Sequence, residues 1–120
     1  MDTALMLRTA VILLALTGAG GLLMAGMRFS GRPHPPDWLA MGHGLLAASG
    51  LTLALYVAFT TGLPGTALLG LVLMAGASLG GVALNLGYHT KGQALPKWLV
   101  LVHGAAAAVG LVLFAIAAWR

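Results

Sequence analysis

The stretch "PKWLVLVHG" at Pro96–Gly104 repeats, sixty residues on, the plan of "PDWLAMGHG" at Pro36–Gly44. Each opens with proline, sets tryptophan two residues later, and places a His-Gly pair at the fifth and sixth positions after the tryptophan. Proline breaks helix interiors but is tolerated where a helix begins. Tryptophan favours the boundary between hydrocarbon and water. An ionisable histidine inside an apolar helix is costly and is functional by default. Each stretch therefore reads as the beginning of a membrane helix, with a histidine roughly 10 Å past the proline at 1.5 Å per residue.

The rest of the chain agrees. It has 120 residues, is 60% hydrophobic and only 7% charged, with a mean hydropathy of +1.00. A water-soluble domain of this size has too little interior to hide so much apolar surface. Four uncharged runs of about twenty residues match the roughly 30 Å hydrocarbon thickness. They predict helices near Ala4–Met27, Trp38–Thr60, Thr66–Tyr88 and Trp98–Trp119. The expected fold is all-α: an integral membrane four-helix bundle, one transmembrane domain over residues 1–120. The opening "MDTALMLR" sets an acid beside arginine ahead of an apolar run longer than a signal core, so the first run is read as a mature helix. With no cysteine, disulfides, iron–sulfur clusters and thiolate sites are excluded.

The net charge of +4 does not indicate nucleic-acid binding, because the cations flank the apolar runs. Arg28 and Arg32 lie between the first two, Lys91 and Lys97 between the last two, and "TTGLPG" in the middle carries none. By the positive-inside rule the first and third loops face the cytoplasm and both termini lie outside. The expected setting is a bacterial-type inner membrane, with the lipid bilayer as the first partner.

Sliding the chain on itself by sixty residues matches about ten of eighteen positions from Pro36 to Leu53, and Gly20–Gly21 falls on Gly80–Gly81. Two helical hairpins, near 1–60 and 61–120, are thus expected in a duplicated fold. Two spans per repeat give both halves one topology, related by a pseudo-twofold axis along the membrane normal. Helices two and four become equivalent and diagonal. Whatever His43 faces, His103 faces from the other side.

At about 100° per residue, Trp38 and His43 stand roughly 140° apart, so an outward Trp38 turns His43 inward. On the histidine faces follow Ala47 and Gly50, and Ala107 and Gly110. Counting back from the ends of helices one and three, the same depth is reached at Gly20, Gly21, Gly80 and Gly81. Small residues on all four helices at one level suggest room for a large planar group. A haem meets these demands: imidazole ligates iron, and its propionates would seek cations at the boundary, where Arg28, Arg32 and Lys91 stand.

On His43 and His103, with glycines at their level, the chain resembles the four-helix membrane b-type cytochromes, in which a bis-histidine haem lies between transmembrane helices. The resemblance implies one haem b with His43 and His103 as axial metal ligands. It also implies electron transfer with a quinone or a redox protein, with oxidoreductase activity at the haem edge left open. With Asp2 and Asp37 as the only acids, no acid–base pair or nucleophile marks a catalytic constellation. Two other classes stand beside it: a small transporter or channel using the histidine pair for metal or protons, and a haem sensor or carrier subunit. An interhelical hydrogen bond from the histidines to Ser49, Ser78 or Thr52 is the bland alternative. His34 is expected to be solvated. His89, at the end of helix three, suits the helix dipole or a propionate. The small residues around Gly70, Leu73 and Ala77 offer a face for a second copy, and so for a homo-oligomer.

Overall fold

The computed structural model describes residues 2–120 and consists of four long helices: α1 Thr3–Phe29, α2 Asp37–Thr60, α3 Gly65–Gly87 and α4 Lys97–Ala118. A single 3-10 turn, His89–Lys91, follows α3, and no strand occurs among the described residues. All four helices are long and apolar enough to cross a membrane. The long axis of 43 Å matches a bilayer with its headgroups, about 40–45 Å.

The boundaries follow local chemistry. Asp2 caps α1 by accepting the Leu5 N–H at 2.7 Å. Pro36, Pro64 and Pro96 stand immediately before α2, α3 and α4, in extended or polyproline-like backbone. Helix α2 ends as Thr61 and Gly62 both donate to the Val57 carbonyl. Gly62 then takes φ +79°, which costs a residue without Cβ little.

Hairpin partners pack most extensively, α1 on α2 and α3 on α4; α1 also meets α4, while α2 and α3 touch sparsely. No close approach joins α1 to α3 or α2 to α4, so α2 and α4 lie diagonally. The two ends of the bundle differ. A dense core of Leu7, Ala10, Val11, Leu14, Ala54, Val57, Leu71, Met74 and Phe114 fills the end holding both termini. There Gly70 and Gly110 bring α3 and α4 into backbone contact: a Cβ on Gly70 would lie 2.5 Å from the Gly110 carbonyl oxygen.

That contact corrects an expectation. Gly70 and Ala77 are buried inside the chain against α4, so they are not a free face for a second copy. Small residues permit close helix approach, and here they serve the intramolecular pair.

Candidate functional site

The opposite end, beneath the loops joining α1 to α2 and α3 to α4, is hollow. A cavity of about 620 Å³ lies there, lined by residues of all four helices. Much of its wall is built from pairs sixty apart: Gly21 and Gly81, Met24 and Leu84, His43 and His103. The two loops are tied across it. Leu95 N–H donates to the Pro33 carbonyl at 2.9 Å, and Arg28 Nε donates to the Leu95 carbonyl at 2.8 Å.

His43 and His103 both line this cavity, with ring centres 6.1 Å apart and planes inclined at 68°. Trp38 and Trp98 point out of the bundle, 72% and 65% exposed, so Trp and His face opposite ways as the helical period requires. Each histidine Nδ1 meets a backbone carbonyl twenty-six residues earlier: Thr17 for His43 at 2.8 Å, Ala77 for His103 at 2.5 Å. A carbonyl only accepts, so Nδ1 carries the hydrogen, and in the neutral ring Nε2 keeps the lone pair. Neither Nε2 has a protein partner among the described residues, and no buried side-chain polar atom lacks one; both Nε2 atoms are therefore open to space. An imidazole held by Nδ1–H···O=C with a free Nε2 is the arrangement of metal-ligating histidines.

The glycines explain how the rings reach those carbonyls. A helix carbonyl at position 17 already accepts from residue 21 one turn on, so a second donor must approach over that residue. Gly21 leaves the approach open: an added Cβ would stand 3.0 Å from His43 Cε1. Gly81 does the same for His103, with 3.1 Å. Gly20 and Gly80 flank the rings more loosely, with nearest approaches of 4.0 and 3.6 Å. The four glycines thus make seats for the imidazoles.

Other expected residues fall elsewhere. Gly50 and Gly110 do not line the cavity; they are buried about two turns past the histidines, Gly50 against Leu14 and Gly110 against Gly70. Arg28 is engaged with the Leu95 carbonyl, and Arg32 and Lys91 are exposed in the loops; none of the three lines the cavity. Chain reversal carries them over the rim. Ser49, Thr52 and Ser78 donate to carbonyls of their own helices, so none holds a histidine.

The polar wall is made at the end of α3. His89 is buried, its Nε2 2.6 Å from Asp37 Oδ1, and Asn85 lies one turn before it on the same wall. His34, expected to be solvated, is half-buried with its ring 5.0 Å from that of His89. The i, i+4 relation of Asn85 and His89 was visible in the sequence; the partner Asp37, from the preceding hairpin, was not.

What is present matches a haem in its two imidazoles and its volume, but not in the cations expected for the propionates, which do not line the cavity. Two imidazoles bound to opposite sides of one metal at about 2 Å per nitrogen hold their ring centres on the order of 6 Å apart. The observed 6.1 Å agrees, and the cavity volume lies in the range of small-molecule sites, about 300–1,000 Å³. Among the described residues no group of three or more His, Asp or Glu side chains is gathered for a bare ion. No family model, curated protein or solved structure matches the chain.

Proposed function

We propose that this chain is a membrane haem b electron-transfer protein, holding one haem between His43 and His103 and exchanging electrons with a membrane quinone or a redox protein. The supporting observation is the paired tautomer: both Nδ1 atoms are committed to backbone carbonyls, and both Nε2 atoms are free on facing helices. A bare-ion transporter is less well served, since such ions ask for four or more ligands.

The chain's own part is to hold and to exclude. Thr17 and Ala77 orient the rings and raise their basicity as ligands. Gly21 and Gly81 let the rings lie against the neighbouring helices. Leu51, Leu84 and Val100 keep the surroundings apolar. Bound haem supplies the one-electron redox chemistry, with a potential set by ligation and burial. With the basic loops on the cytoplasmic side, the site sits at the cytoplasmic face of a bacterial-type inner membrane and both termini lie outside.

The test is spectroscopic. Protein purified from haem-replete cells should show a sharp reduced-minus-oxidised b-type spectrum. His43→Ala and His103→Ala should each abolish the low-spin form. Colourless, metal-free protein overturns the proposal, as does an unchanged spectrum in both variants.

A further inference from the structure

The duplication makes two seams of the bundle equivalent, α2 against α3 and α4 against α1, yet they have diverged beneath the loops. On the α4–α1 seam the Lys97 ammonium lies 5.6 Å from the Phe29 ring centre. At the matching positions of the other seam stand Asp37 and His89, a carboxylate on an imidazole 2.6 Å away. The α4–α1 seam is the more closely packed of the two, while α2 and α3 touch sparsely. Between α2 and α3 a cavity of about 510 Å³ is lined by Asp37, Ala40, Met41, Asn85, His89 and Thr90.

The polar groups of this cavity are acceptors short of donors. His89 is buried and donates Nε2–H to the Asp37 carboxylate, so in the neutral ring Nδ1 keeps a lone pair with no protein partner among the described residues. That atom is not sealed in, since no buried side-chain polar atom lacks a partner. Thr90 Oγ1 gives its hydrogen to the Leu86 carbonyl at 3.3 Å and keeps its lone pairs. The Asp37 side chain is 89% exposed, and no lysine or arginine among the described residues pairs with it, although the chain holds six such cations. Asn85 can turn its amide oxygen the same way. The helix ends leave the sign of the site to the carboxylate: α2 begins here and α3 finishes here, and their dipole ends oppose one another.

We propose that this seam binds a bilayer phospholipid through a primary ammonium, the chemistry of an ethanolamine headgroup. A primary ammonium brings three N–H donors and no acceptor, the complement of a wall of acceptors around one carboxylate. A trimethylated ammonium carries the charge without a donor, and a purely anionic headgroup would meet Asp37 with no cation in the lining. The bilayer is the source, because Asp37 stands in the first turn of α2 beside the outward Trp38, at the membrane boundary. Below it, Met41, Leu45 and Leu86 are more than half exposed along the seam, and an acyl chain laid over them covers the sparse packing of α2 on α3. Lys91, exposed in the same 3-10 turn as Thr90, supplies a counter-charge for the lipid phosphate. On the α4–α1 seam Lys97 replaces the carboxylate, so the duplication yields one such site and not two. The site does not depend on what lies between His43 and His103.

The experiment is native mass spectrometry of the full chain released from detergent micelles, with dioleoyl phosphatidylethanolamine, phosphatidylcholine or phosphatidylglycerol added singly. The ethanolamine lipid should bind about 10-fold more tightly than either of the others, which share its acyl chains. Asp37→Asn, with its helix content checked by circular dichroism, should reduce that preference to within about twofold of parity. Thr90→Val should lower it in the same direction, and Lys97→Ala, on the other seam, should leave it as in the parent. Equal binding of the ethanolamine and choline lipids by the parent chain overturns the proposal, as does an unchanged preference in folded Asp37→Asn. If Asp37→Asn does not fold, Thr90→Val decides, and an unchanged preference there overturns it. Displacement of the bound lipid by free ethanolamine marks a site for soluble amines and overturns it too. Because the readout is lipid mass, the outcome is the same whether or not the chain takes up haem.

Discussion

Replacing Gly21 by alanine tests how the histidines are seated. The new Cβ would lie 3.0 Å from His43 Cε1 and 3.5 Å from Nδ1, where ordinary carbon contacts fall at about 3.5–4.0 Å. The ring must retreat by roughly half an ångström to restore that spacing. The 2.8 Å bond from Nδ1 to the Thr17 carbonyl then passes beyond the usual limit of about 3.2 Å. Losing the partner that orients a metal-bound histidine costs about 10–100-fold in affinity. One methyl group at a site that yields a little should fall near the lower figure, about 1.4 kcal/mol. Gly81→Ala, with its 3.1 Å approach to His103, should match it, and the double variant should approach the product of the two. Stability is the wrong readout, because alanine in a helix interior gains about 0.5–1 kcal/mol over glycine and masks the loss. The assay is haem titration followed by absorbance in detergent. Gly18→Ala, whose Cβ meets nothing within 4 Å, supplies the control. If Gly21→Ala and Gly81→Ala both bind haem within twofold of the control, the glycines do not seat the ligands.

The packed end should rank its glycines by what each would strike. Gly70→Ala drives a Cβ to 2.5 Å from a backbone oxygen and 2.9 Å from the Phe114 nitrogen, so it should destabilise by about 1–3 kcal/mol in detergent unfolding. Gly50→Ala meets Leu14 at Cγ, 2.7 Å, and Cδ2, 2.9 Å, with the nearest backbone atom 3.4 Å away, and should cost less; the reverse order would contradict the packing described. Because the chain has no cysteine, single cysteines report topology cleanly. Ser30→Cys should react with an impermeant maleimide only from the cytoplasmic side and Thr61→Cys only from outside, and the opposite pattern would invert the orientation.

Much of this was legible in one dimension. The spans expected at Ala4–Met27, Trp38–Thr60, Thr66–Tyr88 and Trp98–Trp119 end within two residues of the helices observed, because hydrocarbon thickness and proline placement are local constraints. The inward turn of His43 and His103, and their level with Gly21 and Gly81, also follow from counting along a helix. The roles of Gly50 and Gly110 were misjudged for an instructive reason. A residue seven positions past the histidine shares its face but lies about 10 Å farther on, where Gly50 meets Leu14 and Gly110 meets Gly70. Arg28 had an equally local pull toward the membrane boundary, yet the Leu95 carbonyl of the opposite loop claims it.

The sequence by itself determined helix number, helix length and how far past its proline each histidine stands, since each depends on the chain's own periodicity and on bilayer thickness. Only the tertiary structure decided which atoms meet. Thr17 and Ala77 hold the imidazoles through carbonyls, which every residue possesses and no composition reveals. The pairing of Asp37 with His89 crosses fifty-two residues and depends on which seams of the bundle close. Periodicity states how a helix faces its neighbours, but the close approach of Gly70 and Gly110 sets which neighbours draw together and which stand apart.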